Sequence, residues 1–76
     1  MWTEKNNKLE KSFEFANFKE AFGFLTQVAM AAEEMGHHPT IENTYNKVKL
    51  TLSTHDAGDI VTEKDRKLAK VIDGLK

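Results

Sequence analysis

Residues 45–54, Y-N-K-V-K-L-T-L-S-T, alternate apolar and polar side chains more regularly than any other part of the chain. Val48, Leu50 and Leu52 fall on one face of an extended backbone, and lysine, threonine and serine fall on the other. A period of two residues is that of a strand with one buried face. This stretch therefore predicts a β-strand in an antiparallel sheet that covers a core on one side.

A second alternating stretch covers residues 8–15, where every odd position except Lys11 is apolar. It predicts another strand with one buried face. Residues 2–5 are predicted to form its partner strand, because the two asparagines at positions 6 and 7 tolerate the backbone of a tight hairpin turn.

Two helices are predicted from capping residues that stand ahead of apolar residues at helical spacing. Asn17 with Glu20 three positions later has the pattern of a helix N-cap. Apolar residues then recur every three or four positions until Gly36 supplies a stop. Thr62 with Asp65 repeats the capping pattern ahead of a second amphipathic stretch, which indicates a helix that closes the chain.

The predicted order is two strands, a helix, a strand and a helix. It indicates an α+β fold in which a small antiparallel sheet has two helices packed on one face. The 76 residues are expected to form a single domain, 1–76. A core of this size buries only about 60% of the surface of the unfolded chain, which favours self-association.

Composition excludes several classes of function. The net charge is -1 with lysine and glutamate intermixed, so no broad basic surface is expected to bind nucleic acid. The chain has no cysteine, and its apolar runs are too short to span a membrane or to form a secretory signal. The sequence therefore predicts a cytoplasmic protein without disulfides, thiolate metal sites or membrane contact.

All three histidines fall in loops or at the ends of predicted elements. His37 and His38 follow the first helix, where Pro39 prevents the helix from continuing, and His55 ends the long strand. An imidazole has an unperturbed pKa of about 6.5, so two or three can supply a neutral base and a charged acid near neutral pH. Such a set suits the removal of a proton coupled to the loss of water.

Simpler interpretations of the same residues stay open. A histidine after a helix often bonds the free carbonyls of that helix, and Asp65 is explained by capping alone. Glu33, one turn before His37, either orients an imidazole or is a solvated carboxylate. A zinc site of three imidazoles is a further alternative. Because adjacent residues such as His37 and His38 rarely both face one ion, we expect no metal.

The run G-H-H-P-T-I-E-N-T-Y-N-K-V-K-L-T-L-S-T-H-D-A-G at residues 36–58, followed by T-E-K-D at 62–65, resembles the signature of pterin-4a-carbinolamine dehydratases. The likeness extends over residues 13–72 and includes an F-x-F-x-x-F opening and the A-F-G-F helix start at residues 21–24. It implies a hydro-lyase that dehydrates 4a-hydroxytetrahydropterin to quinonoid dihydropterin in pterin recycling, with no metal or bound cofactor.

Carried over position by position, the resemblance implies that His37 and His55 share the acid and base duties while His38 helps to hold the pterin. Asp65 matches the aspartate that supports the histidine near the second helix. The expected catalytic set is His37, His38, His55 and Asp65. The expected substrate-binding set is Glu33, His37, His38, Pro39, Ser53, Thr54, His55 and Asp56.

Three departures from the family pattern are visible. Many relatives have a helix ahead of the first strand, and this chain begins too late to contain it. Ile41 stands where the family commonly has tryptophan, and the segment between His55 and Asp65 is one residue longer than in the commonest pattern. The longer segment is expected to move Asp65 relative to the histidines, but none of the three changes removes a proposed acid or base.

The resemblance leaves two alternatives to the pterin-recycling reaction. The substrate could be another pterin, such as a molybdopterin-related compound. The domain could instead be a non-enzymatic module that dimerises or steadies a protein partner through an open sheet edge or helix face, since one relative stabilises dimers of a transcription factor. The small core and the habits of the family predict a homodimer or a homotetramer.

Overall fold

A computed structural model describes residues 1–76. Four strands and two α-helices follow one another as β1 (Thr3–Lys5), β2 (Lys8–Glu14), α1 (Phe18–Met35), β3 (Thr40–Thr44), β4 (Lys47–Leu52) and α2 (Glu63–Leu75). A single 3₁₀ turn, His55–Ala57, connects β4 to α2. The strands form one antiparallel sheet in the order β1-β2-β4-β3, so β1 and β3 are its edges. The predicted α+β class is confirmed.

The first hairpin has the turn that the sequence predicts. Asn6 and Asn7 both adopt positive φ angles, 52° and 62°. Positive φ at both central residues defines the type I′ turn, whose twist matches that of the flanking strands. Lys5 therefore pairs directly with Lys8 across the two-residue turn, and the predicted partner strand is confirmed.

The prediction of three strands was wrong by one, because residues 40–44 form an additional edge strand. β3 pairs with β4 along its whole length, from Thr40 opposite Thr51 to Thr44 opposite Lys47. Tyr45, at a φ of 53°, lies in the turn between them rather than in the strand predicted to begin there. The side-chain amide of Asn43 donates to the carbonyls of Tyr45 and Lys47, at 3.2 and 2.9 Å, and closes this turn.

The core lies between one face of the sheet and the two helices. Leu9 is paired with Leu52, and Phe13 with Val48, so these side chains share one face of the central strands. Buried residues of both helices cover that face, among them Ala21, Phe24, Leu25, Val28, Ala32, Leu68, Ala69 and Ile72. Both helices therefore pack against one face of the sheet, as predicted.

Lys11 breaks the alternation of β2 without breaking the strand. It lies opposite Leu50 on the core side of the sheet, and its ammonium reaches Asp73 of α2 at 2.8 Å. The Nζ atom also lies 5.0 Å from the centroid of the Phe13 ring. The aliphatic stem covers apolar surface while the charge is paired at the edge of the core.

Candidate functional site

The three histidines line one cavity at the end of the domain where α1 and β4 end and α2 begins. The cavity has a volume of about 210 Å³ and no hydrophobic side chain in its wall. Four larger surface cavities contain no histidine, so chemistry rather than size distinguishes this site. Its wall consists of Gly36, His37, His38, Ser53, Thr54, His55, Asp56 and Lys64.

The end of α1 fixes the position of His37. Gly36 takes the left-handed conformation, with φ 63° and ψ 30°, as the predicted helix stop. The backbone N–H of His37 donates to the carbonyl of Ala32 at 3.1 Å, and that of Gly36 donates to Glu33 at 3.1 Å. These two bonds are those of a Schellman motif. The backbone of His37 is therefore held by the helix terminus, and the side chain leaves it in a defined direction.

Asp65 forms a hydrogen bond with the imidazole of His37. The Nε2 atom of His37 lies 2.5 Å from Oδ1 of Asp65, and the His37 side chain is only 11% exposed. Asp65 itself is fully buried, at 0% exposure. Its other oxygen, Oδ2, accepts a hydrogen bond from the Thr54 hydroxyl at 2.7 Å and from the backbone N–H of Thr62 at 2.9 Å. The predicted capping contact at Thr62 is thus also part of the site.

These bonds determine the charge on Asp65. Burial alone raises the pKa of its carboxyl, but hydrogen bonds from His37, from the Thr62 backbone and from Thr54 outweigh that effect and hold the pKa below its usual value. Asp65 is therefore ionised at neutral pH. The Thr54 hydroxyl and the Thr62 N–H both donate to Oδ2, so Oδ2 acts only as an acceptor, as expected of an ionised carboxylate.

An ionised Asp65 in turn determines the tautomer of His37. A carboxylate can only accept, so the Nε2 atom of His37 carries the hydrogen in their shared bond. In the neutral imidazole the lone pair then belongs to Nδ1, which has no hydrogen-bond partner within the protein. Since His37 lines the cavity, this nitrogen can act as a base toward a molecule bound there.

His55 is a second histidine with a carboxylate partner, but in an exposed setting. Its side chain is 90% exposed, and its Nδ1 atom lies 3.0 Å from Oδ1 of Asp59. The hydrogen bond to Asp59 raises the pKa of His55, and the charges of Asp59 and Asp56 add to this effect. His55 is therefore better suited than an isolated imidazole to carry a proton near neutral pH.

His38 and Glu33 form the third pair, at 2.9 Å between Nε2 and Oε1. Both side chains are largely exposed, at 64% and 82%. The spacing that placed Glu33 one turn before His37 thus brings it to His38 instead. Neither Glu33 nor Pro39, which was expected to bind substrate, is part of the cavity wall.

The cavity also contains or borders residues that the sequence analysis did not assign to the functional site. Gly36 and Lys64 line it, and Asp59 and Thr62 bond to residues of its wall. Lys64 could have been found, because it directly precedes Asp65 in the capping sequence. Asp59 gave no such signal, because its contact with His55 depends on the left-handed backbone of the intervening turn, at Gly58 and Asp59. Ile41 lies on β3 and is not part of the wall.

Two further structural facts bear on the class of protein. No three of the histidine, aspartate and glutamate side chains are grouped so that they could hold a metal ion. Neither helix has the length and apolar character needed to cross a bilayer. The fold and the cavity together define a small α+β domain with histidine–carboxylate pairs at one end of its sheet.

Within that class the comparison with known sequences is specific. The sequence profile described as Pterin 4 alpha carbinolamine dehydratase matches residues 1–75. The chain belongs to the pterin-4a-carbinolamine dehydratase family, whose enzymes are hydro-lyases. A protein of Prochlorococcus marinus strain NATL2A, named provisionally as such a dehydratase, is 51% identical over 74 residues, which are 97% of this chain and 77% of the relative. A Chloroflexus aurantiacus relative with the same provisional name is also 51% identical, over 97% of this chain and 78% of its own.

Solved structures agree with the sequence comparison. A transcriptional coactivator/pterin dehydratase from Brucella melitensis superimposes with a TM-score of 0.92 at 39% identity, over 97% of this chain and 80% of its own. A pterin dehydratase-like protein described as a RuBisCO assembly factor in the alpha-carboxysome superimposes with a TM-score of 0.78 at 30% identity, over 99% of this chain and 86% of its own. The fold is thus shared by one relative described as a dehydratase and by another described as an assembly factor.

Proposed function

We propose that this chain dehydrates 4a-hydroxytetrahydropterin to quinonoid dihydropterin. The observation that carries the proposal is the pairing of two histidines of one polar cavity with carboxylates, His37 with Asp65 and His55 with Asp59. The cavity is smaller than the roughly 300 Å³ at which sites for drug-sized ligands begin, so it suits one small polar heterocycle.

In the proposed reaction, Nδ1 of His37 is the base. It removes the proton from the ring nitrogen next to C4a, and the electron pair of that N–H bond forms the new C=N double bond. The ionised Asp65 stabilises the imidazolium that forms on His37, because the two groups share a hydrogen bond and the carboxylate is fully buried. This arrangement needs no change of position by either side chain.

His55 is the proposed acid. Its Nε2–H donates a proton to the 4a-hydroxyl while the C4a–O bond breaks, and the hydroxyl leaves as water. His37 has then gained one proton and His55 has lost one, so exchange of both with solvent restores the starting state. The 90% exposure of the His55 side chain favours that exchange. His38 of the catalytic set, together with Ser53 and Asp56, is proposed to bind the pterin from the cavity wall.

Of the other expected substrate-binding residues, Glu33 and Pro39 are proposed to act from outside the cavity wall. Glu33 holds His38, and Pro39 limits the backbone that follows it. Thr54 lies in the wall itself, and its hydroxyl donates to Asp65.

The test is a direct assay of the purified protein with enzymatically generated 4a-hydroxytetrahydropterin. We expect absorbance to show formation of quinonoid dihydropterin faster than the spontaneous reaction, in proportion to protein concentration. A rate equal to the spontaneous rate over pH 6–9 would contradict the proposal. The same assay with a molybdopterin-related compound distinguishes the alternative in which the chemistry is retained and the substrate is a different pterin.

A second candidate function is a non-enzymatic interaction module. It is favoured by an exposed apolar surface on the flank of α1, which we call the α1 flank: Phe18 and Phe22, 49% and 53% exposed, with ring centroids 5.6 Å apart. A relative with the same fold is described as a RuBisCO assembly factor, which supports an interaction role as the alternative. Absence of pterin turnover and of pterin binding by calorimetry would favour the module over the enzyme.

We infer that the α1 flank is covered by a second copy of the chain, as a homodimer or homotetramer. Replacing Phe22 with aspartate is expected to lower the mass measured by light scattering at micromolar concentration toward that of the monomer, because burial of this apolar surface drives association. Val71 of α2 is exposed to a similar degree, 42%, on the other helix. Val71→Asp is therefore the matched control, and its mass should stay that of the wild type. A monomeric wild type would overturn the inference.

A further inference from the structure

Asp59 occupies a backbone conformation that has a cost for an aspartate. Its φ is 59°, and it directly follows Gly58, whose φ is 92°. Residues with a Cβ atom are disfavoured in this left-handed region, although aspartate tolerates it better than most. The Asp59 side chain is 61% exposed and takes no part in the core, and in the reaction proposed above it transfers no proton. Its contact with His55 therefore calls for a separate explanation.

The surrounding backbone holds Asp59 against the end of β4. Its N–H donates to the carbonyl of Thr54 at 3.0 Å, and the N–H of Thr54 donates to the carbonyl of Ile60 at 2.8 Å. The N–H of Gly58 donates to the carbonyl of His55 at 2.9 Å. The turn therefore folds back on Thr54, two residues after the end of β4, and on His55, the first residue of the 3₁₀ turn. The left-handed backbone directs the carboxylate of Asp59 to Nδ1 of His55.

We propose that Asp59 is a positioning residue for His55: it binds Nδ1 and thereby leaves Nε2 as the nitrogen that donates a proton to the substrate. This inference rests on the proposed function and specifies how its acid is prepared. Asp59 does for His55 in solvent what Asp65 does for His37 in the interior, since each carboxylate binds one ring nitrogen and leaves the other to the cavity.

Other charged groups near His55 favour its protonated form in some cases and oppose it in others. Asp56, in the same 3₁₀ turn, raises the pKa of His55 through its charge but makes no hydrogen bond to it. Lys64 from α2, with His37 and His38 from the connection after α1, line the same cavity and oppose a positive charge on His55 when they are protonated. Asp59 is the group in direct contact, so its removal is expected to have the largest effect.

The test combines an NMR titration with a pH–rate profile. In Asp59→Asn, the ring protons of His55 should titrate at lower pH than in the wild type. The alkaline limb of kcat/KM should shift in the same direction, with about two- to fivefold less activity at pH 8 and no loss at pH 6, the range that an exposed ion pair allows. Glu63→Gln removes one negative charge from the start of α2 without breaking any hydrogen bond, and should change neither measurement.

Asp59→Gly separates positioning from folding. Glycine adopts positive φ without strain, so this variant should melt at the same or a higher temperature while its titration and rate profile match those of Asp59→Asn. Unchanged titration of His55 in both variants would overturn the inference, whether or not the protein turns over a pterin. Changed titration in a protein without turnover would support the pairing and contradict the proposed reaction alone.

Discussion

Replacing His37 with alanine is expected to lower kcat/KM for dehydration of 4a-hydroxytetrahydropterin by about 10²–10⁴-fold, the contribution of a positioned general base. The expectation follows from the geometry of one side chain. Asp65 holds Nε2 of His37, the Schellman motif holds its backbone, and Nδ1 is left free at the cavity. No other histidine of the cavity is paired with a buried carboxylate. The measurement is the initial rate of quinonoid dihydropterin formation at pH 7.

A second variant separates loss of the base from loss of folding. Alanine leaves the buried carboxylate of Asp65 without one of its donors, so His37→Ala is also expected to be less stable. His37→Gln retains an N–H donor for Asp65 but has no basic nitrogen, and should lose turnover with a smaller change in melting temperature. Lys70→Ala, on α2 and outside the cavity wall, controls for non-specific effects. Wild-type rates in the glutamine variant would exclude His37 as the base.

The elements that follow from short-range patterns were predictable. Helix α1 begins after Asn17 and ends before Gly36, as the sequence indicated. Both ends were predictable because the hydrogen bonds that define a cap join residues three to five positions apart. The asparagine turn between β1 and β2 formed for the same reason. In each case the decisive interaction lies within a few residues of the pattern that predicted it.

β3 was missed because its sequence carries almost no pattern of its own. T-I-E-N-T contains one large apolar residue, Ile41, and even that side chain is 42% exposed at the sheet edge. The strand exists because β4 offers it a complete row of backbone partners. Tyr45 in a turn at positive φ could not be foreseen either, since tyrosine usually favours strands.

The candidate site shows the same division between local and tertiary information. The sequence placed the three histidines at the ends of elements, and the structure brings them to one cavity. Which carboxylate meets which imidazole was decided by packing: Glu33 reaches His38, and Asp65 crosses 28 positions of sequence to reach His37. The capping pattern alone accounted for Asp65 in the sequence. In the structure the Thr62 N–H bonds only to Oδ2 of Asp65, which leaves Oδ1 for His37.

Asp65→Asn is expected to have the second large effect, on turnover and stability together. An amide has one accepting oxygen for donors that now occupy two, and its NH₂ group can only donate. The His37 ring then satisfies the amide best by accepting at Nε2, which moves its hydrogen to Nδ1 and removes the base. We expect about 10²–10⁴-fold lower turnover, as for a catalytic histidine held in the wrong tautomer. The lost hydrogen bonds to a buried charge should lower the free energy of unfolding by about 1.5–3 kcal/mol.

The pH dependence of that difference tests whether the charge of Asp65 is its source. A carboxyl whose pKa is lowered by folding adds stability above its unfolded pKa of about 3.9, and the addition is lost as pH falls through the lower, folded pKa. Asparagine cannot titrate. The gap in unfolding free energy between wild type and Asp65→Asn, measured by urea denaturation, should therefore be largest at pH 7 and narrow at pH 3. An equal gap at both pH values would mean that shape, and not the carboxylate charge, connects Asp65 to His37.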